Sequence, residues 1–512
     1  MGDSEAPASD IADLAKGGRT NMFGFLLRLA ARIPFLFIAG RLYGPDALGR
    51  FAYAILVIEF AAQLATLGLK RGLAQQLSSA ERPHVCVVWD GLLVAGVASA
   101  IAAGFLAAVP RIMFPNSQIN GLDQLLPLVI FALAWSDVAL AALAYRHNVA
   151  ATVRARAVIE PWTISIAAGA LYFYSTRDGL ILAYALSLIA ALIASIVPLI
   201  RSYGWPRGWS PQPVALFAIA RRNAPLAAAD AIEWGTRNVD RAIIGLFFPP
   251  AIVGIYWVAQ QIATLPQKLK TSFDPILGPV ITQSLADGDK AAVAAQVRQV
   301  GFWIIAAQAG IALALTIPGE AIMGLAGPQF VSGTGALAFL MIAEVVAATA
   351  VVSESALVYV ARHRNLMISL ATIGLQIVLS FVLIFGLDWL HPDIPLREDK
   401  IAAAGPAMAL PIALGFAAIL KARLLSKLLG APVSPWRWAL GWAVAAGVIV
   451  GVIATRVPEW LELIVGLPAI LISYGAVIWV KGFTKEDRVL FRRKRGEEPE
   501  LPAPGTTRQA RR

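Results

Sequence analysis

Runs of about twenty apolar residues recur from residue 22 to residue 480, separated by short polar breaks. Few folds can use such a chain. A bilayer core is about 30 Å thick and takes roughly 20 residues of helix to cross. Backbone groups find no water there, so only helices and closed barrels can span it. A barrel strand alternates apolar and polar side chains, a pattern missing here. Charged residues make up 15% of the chain, against about 25% in a soluble domain. The expected fold class is an all-α polytopic membrane protein.

Hydropathy predicts about fourteen transmembrane helices, near 22–42, 51–69, 85–109, 124–146, 157–175, 180–200, 223–248, 251–280, 299–317, 334–360, 365–387, 401–424, 437–455 and 461–480. The seventh contains Asp230, Glu233, Arg237, Asp240 and Arg241, and loop charge decides whether it counts. Cytoplasmic loops carry an excess of Lys and Arg. With the N-terminus inside, the even-numbered loops and the tails hold 32 of the 43 basic residues, among them Lys70, Arg71, Arg154 and Arg156; odd-numbered loops hold six, including Arg50. Without the seventh span, every later basic loop and the Arg-rich tail would lie outside. The predicted organisation is a cytoplasmic tail (1–21), a first six-helix lobe (22–201), a cytoplasmic linker (202–222), a second six-helix lobe (223–424), a helical hairpin (425–480) and a basic disordered tail (481–512). The first residues carry acids and no apolar core, so they read as a tail rather than a cleaved signal.

Residues 40–54 read GRLYGPDALGRFAYA and residues 245–259 read GLFFPPAIVGIYWVA. At a constant offset of 205, Gly40 matches Gly245, Pro45 matches Pro250, Gly49 matches Gly254, and Phe51 faces Tyr256. Two similar tight turns could produce this, since Gly and Pro are common there. The same offset, however, sets Arg32 on Arg237, which turn chemistry does not require. Two parallel six-helix repeats are a recognised transporter plan, with the substrate site between them near the midplane.

A charge at the bilayer centre costs roughly 2.5–3.5 kcal/mol on insertion scales and normally faces a bundle interior or a wet cavity. At 100° per residue, Asp230, Glu233, Arg237, Asp240 and Arg241 share one arc of the seventh span. Arg28 and Arg32 are i,i+4 neighbours in the first span with no acid within four residues on their helix. Two readings stay open. Glu233 and Arg237 stand in the favourable i,i+4 order, and Asp240 could pair with Arg237 or Arg32, so the charges could simply lock the lobes together. Alternatively Arg28, Arg32, Arg237 and Arg241 line a central cavity and hold an anionic headgroup, since guanidinium grips phosphate oxygens in bidentate fashion. Asp230, Glu233, Asp240, Glu59 and Glu344 are candidates for ion coupling or gating, because a carboxylate in low dielectric can take up a proton.

The single cysteine, Cys86, excludes an intrachain disulfide, and the four histidines lie too far apart in sequence for a metal site. No Gly-rich phosphate loop, catalytic constellation or cofactor motif appears, and no nucleic-acid partner is expected. An outer loop of about residues 388–400 is too short to hold the active site of a membrane glycan polymerase or ligase. A scaffold of an envelope assembly is a third class, and it would tolerate loss of Arg28 and Arg32.

The segment from Gly40 to Leu69 resembles the first helical hairpin of bacterial polysaccharide exporters. So do Asn238-Val-Asp-Arg-Ala-Ile-Ile-Gly with Pro250-Ala-Ile-Val-Gly-Ile-Tyr, the run Gly319-Glu-Ala-Ile-Met-Gly-Leu-Ala-Gly-Pro-Gln-Phe, and Ile401-Ala-Ala-Ala-Gly-Pro-Ala-Met-Ala. Over roughly residues 20–425 the chain resembles the multidrug/oligosaccharidyl-lipid/polysaccharide (MOP) flippase superfamily in its polysaccharide, Wzx-type, branch. The resemblance implies two lobes forming a V that opens alternately to either side. It implies an undecaprenyl-diphosphate-linked oligosaccharide as cargo, its diphosphate on cavity arginines, for O-antigen, capsule or exopolysaccharide synthesis at the bacterial inner membrane. Implied partners are membrane lipids and, beyond them, a polysaccharide polymerase and glycosyltransferases. Lipid II flippases and multidrug exporters of the same superfamily are the rivals.

Overall fold

Proline and glycine punctuate the apolar runs and divide them into helices. The computed structural model describes residues 33–79, 82–266, 289–390, 393–396, 398 and 400–483. In chain order the helices are α1 (33–43), α2 (Gly44–Ala65), α3 (Leu69–Ser78), α4 (His84–Ala108), α5 (Gly121–Tyr145), α6 (149–171), α7 (Gly179–Tyr203) and α8 (Pro213–Phe247). They continue as α9 (250–266), α10 (Lys290–Thr316), α11 (Gly319–Ala326), α12 (Thr334–Val360), α13 (Arg362–Leu390), α14 (Gly405–Leu429), α15 (Trp438–Ala454) and α16 (Glu459–Gly482). No strand occurs among the described residues. Nine stretches among them are long and apolar enough to cross a membrane, with Ile33–Ser78 counted as one, and Trp438–Ala454 is a shorter apolar helix. The chain is a multi-pass membrane protein.

Two features differ from the sequence reading. Helix α8 begins at Pro213, well inside the stretch expected as a linker, because proline suits the first turn of a helix, and it runs on through an internal Pro225 to Phe247. Arg50, counted as an outer-loop charge, is buried in α2. Its guanidinium pairs with Asp123, lies 3.2 Å from Asp178 and sits 4.7 Å above the Phe114 ring. Asn120 and Asp123 cap α5 reciprocally, so this ion pair ties α2 to the start of α5 and the turn before α7. Stripping one partner from a buried pair of this kind costs about 3–5 kcal/mol.

The hydrophobic core shows how the halves meet. One cluster joins both, with Phe35, Phe51 and Tyr184 packed together with Trp257, Met323 and Leu337. Two further clusters stay separate. Leu69, Leu73, Val88 and Leu143 form one within the first half, and Val297, Phe302, Val352 and Leu425 form the other within the second. The halves therefore share one apolar core at the end bearing Pro45 and Pro250; at the other end, which carries Lys70, Arg71, Arg364 and Arg423, their apolar clusters are divided, and α3 meets α8 through glycine contacts and ion pairs. Helix α8 runs along the division, packing on α2, α3 and α4 as well as on α13 and α14.

The fused end is built by the sequence repeat. A Cβ on Gly49 would overlap the carbonyl of Pro250, and a Cβ on Gly254 would overlap the carbonyl of Pro45. The two matched Pro-x3-Gly segments thus cross each other reciprocally, backbone on backbone. Close by, the Tyr53 ring lies on Gly245, and the Asn116 amide donates to the carbonyls of Gly245, Leu246 and Phe248. Those carbonyls, at the C-terminal end of α8, have no helical partner of their own. Helices α15 and α16 pack against α10, where Tyr474 donates to the Ala306 carbonyl at 2.8 Å.

Candidate functional site

The site begins with a bend. After α2 the chain turns through Leu67 (φ 46°) and Gly68 (φ 72°), a left-handed pair that starts α3 in a new direction. Gly68 also lies against the backbone of Asn223 and Ala227 in α8, and Gly72 against the Asn223 side chain. Leu69, Leu73 and Leu77 bury one face of α3. The exposed side carries Lys70 and Arg71, of which Arg71 faces α8 at the boundary between the halves.

Arg71 bridges to α8. Its Nε lies 3.0 Å from Asp230 Oδ1 and its Nη2 2.7 Å from Glu233 Oε2. The other Glu233 oxygen is 2.8 Å from Arg237 Nη2. Arg71, Glu233 and Arg237 have side chains 53%, 46% and 55% exposed, whereas that of Asp230 is 1% exposed. Two half-open guanidiniums therefore share one half-open carboxylate, and a buried carboxylate anchors the set. Exposed pairs of this kind contribute only about 0–1 kcal/mol, so an incoming anion can compete for them.

Higher on α8 the polar groups are buried again. Tyr256 of α9 donates to Asp240 Oδ2 at 2.5 Å, and Arg241 donates to Asn238 at 2.9 Å. Glu59 of α2 interacts electrostatically with Arg241 and with the Tyr184 hydroxyl.

A second ion-pair set lies in the first half. Arg156 of α6 pairs with Asp137 of α5 and, at 2.7 Å, with Glu160. Lys70 stands 3.6 Å from Asp137. Arg156 falls in a π-helical stretch, Val153–Ile159, a widened turn of the type found at functional sites. Neighbouring residues of α3 thus face the two sets, Lys70 toward Asp137 and Arg71 toward Asp230 and Glu233.

The structure therefore brings Glu233 and Arg237 into one ion pair, with Asp230 joined through Arg71. It brings Glu59 near Arg241 and sets Asp240 on Tyr256 instead of on Arg237. Glu344 is half-buried on α12. Arg28 and Arg32 lie outside the described residues. Sequence reasoning treated Lys70, Arg71 and Arg156 as loop charges and missed their place here. The signal that could have found the α3 pair was the Leu69, Leu73, Leu77 spacing, which makes a short amphipathic helix of that loop. Among the described residues there is no group of three His, Cys, Asp or Glu that could hold a metal ion.

A sequence model of a family described as polysaccharide biosynthesis protein matches residues 38–316. A comparison with curated proteins gives no match. Among solved structures, the lipid II flippase MurJ in an inward closed conformation is similar with a TM-score of 0.64 and 11% identity, over 93% of this chain and 100% of the other. A multidrug resistance MATE family transporter of the MOP superfamily, inward-facing, gives 0.61 and 14%, over 79% of this chain and 98% of the other. A MOP superfamily transporter from Pyrococcus furiosus, described as having a binding pocket of reverse polarity, gives 0.55 and 13%, over 82% and 95%.

Proposed function

The chain belongs to the polysaccharide biosynthesis protein family and has the fold of MOP-superfamily transporters, and from that premise we propose that it flips an undecaprenyl-diphosphate-linked oligosaccharide across the bacterial inner membrane. The observation that carries this reading is the half-open triad of Arg71, Glu233 and Arg237 at the divided end of the two halves. Guanidinium forks match phosphate oxygens, and a diphosphate carries enough charge to take both forks from the one carboxylate that holds them. The isoprenoid chain would stay in lipid while the sugars pass through the wet division. Arg28, Arg32 and Arg241 join Arg71 and Arg237 in this reading as the headgroup cradle.

Alternating access then amounts to parting the divided end and the fused end in turn. Arg71 ties α3 to α8 at the divided end, so the headgroup that captures Arg71 also loosens that tie. Asp230, Glu233, Asp240, Glu59 and Glu344 are the carboxylates on which an ion could couple or gate the movement. In this account α1 and α2 cross separately, α6, α8, α9 and α15 cross as well, and fourteen spans leave both termini in the cytoplasm. The division into lobes at 22–201 and 223–424, with a hairpin at 425–480, follows the same plan.

Depletion of the protein, followed by lipid extraction with mass and sidedness scored, tests the reading. Complete undecaprenyl-linked repeat units should accumulate on the cytoplasmic face. A likeness to the lipid II flippase that runs over 93% of this chain supports the second reading, in which lipid II accumulates instead. Unchanged intermediates, with new sensitivity to cationic dyes, would place the chain among drug exporters and end the glycan proposal.

A further inference from the structure

A hollow of about 530 Å³ opens between the first turns of α13 and the last turns of α14. Its lining divides by chemistry. Arg364, Arg423 and Lys427 supply cations beside the His363 ring, and Met367, Ile368, Leu420 and Leu424 supply an apolar wall. The two helices run antiparallel. On α13 the basic residues precede the apolar ones by about a turn, and on α14 the order is Leu420, Arg423, Leu424, Lys427, so the charges lie mainly toward one end of the hollow. That end is the basic, divided end of the molecule. Farther along, the same two helices leave large apolar side chains outside, with Val382 59%, Ile412 54% and Ile419 54% exposed. An adjoining hollow of about 530 Å³ shares Arg423 and Lys427.

The cations here differ from the one just behind them. Lys421, on the inward face of α14, is buried and has Glu354 at 3.2 Å. Among the described residues no carboxylate pairs with Arg364, Arg423 or Lys427. Three exposed cations gathered without an acid repel one another, and an anion seated among them relieves that repulsion. A basic pocket between transmembrane helices with an apolar wall leading into the membrane suits one class of ligand, a lipid whose headgroup is anionic.

We infer that this hollow binds an anionic phospholipid of the cytoplasmic leaflet, with its phosphate on Arg364, Arg423 and Lys427 and an acyl chain along Met367, Leu420 and Leu424. The inference does not depend on the cargo, because the hollow is on α13 and α14 and the charged triad is on α3 and α8. Arg423 would grip the phosphate in bidentate fashion, and Lys427 would serve both hollows.

The test uses the full chain purified in mild detergent and loaded with phosphatidylglycerol or phosphatidylcholine, with retained lipid counted by native mass spectrometry. The wild type should keep phosphatidylglycerol in preference to phosphatidylcholine. The Arg423→Gln/Lys427→Gln variant should lose at least tenfold of that retention, and millimolar inorganic phosphate should not displace the lipid. Arg364→Gln, on the other helix, is measured in parallel, so a folding failure in one variant leaves the other to decide. Undiminished retention by a folded variant, equal retention of both lipids, or displacement by phosphate alone would each overturn the site.

Discussion

At positions related by 205 residues, the first half of the chain places Phe35 and Phe51, and the second places Asp240 and Tyr256. The two rings of the first pair lie 5.8 Å apart, while the second pair is a 2.5 Å hydrogen bond. Beside them, Leu36 in one half corresponds to Arg241 in the other. The backbone crossing next to these pairs is the same in both halves, glycine set against proline carbonyl in each direction. Shape is thus held by small residues and backbone, and the side chains around it are free to diverge. One half became apolar filling, and the other acquired groups that can hold or exchange charge.

The strongest way to break this comparison is to add a methyl group at the crossing. Gly49→Ala and Gly254→Ala each put a Cβ into the opposite half's backbone and should cost about 3 kcal/mol each, read as lowered thermal stability in detergent. A silent substitution on either side would show that the crossing is not reciprocal. Tyr256→Phe removes the donor to a buried carboxylate and should cost about 1–3 kcal/mol. Converting the pair to its counterpart, Asp240→Phe with Tyr256→Phe, should restore most of that stability while abolishing transport. Normal transport by the double variant would mean that the polar pair is only filling.

Arg71→Gln should leave insertion intact and lower flipping at least tenfold, equivalent to about 1.4 kcal/mol, as measured by glycolipid sidedness. The smallest expected change is in Glu233→Gln. Stability should move by less than about 1 kcal/mol, and binding of a diphosphate-linked lipid should tighten, because the competing carboxylate is gone. Weaker binding would show that Glu233 serves the headgroup rather than competing with it.

The helical membrane class was legible because the length of the apolar runs reports on bilayer thickness, and the repeat because its Pro-x3-Gly segments recur at one offset and their glycines allow backbones to cross. The charged stripe of α8 was legible as a stripe, and the Glu233–Arg237 pair as a pair. What could not be read was its alternating burial. Asp230 is buried beside the α3 turn, Glu233 and Arg237 meet the division, and Asp240 and Arg241 lie under α2 and α9, so each residue's fate depends on a different neighbour. Counting Lys70, Arg71 and Arg156 as loop charges served the orientation argument but was blind to position, since the bend at Leu67–Gly68 turns a loop into a wall of the site. Arg50, counted as an outer-loop charge, shows the same weakness, because two distant acids draw it inward.

The most direct test of the central claim is flipping by the purified protein in liposomes, using an undecaprenyl-diphosphate-linked oligosaccharide and scoring its exposure to an external glycosidase. The account predicts movement by the wild type and at least a tenfold loss in Arg71→Gln/Arg237→Gln protein that inserts normally. Equal movement by that variant would contradict it, and the triad would then be a lock between α3 and α8 with no part in carrying the headgroup.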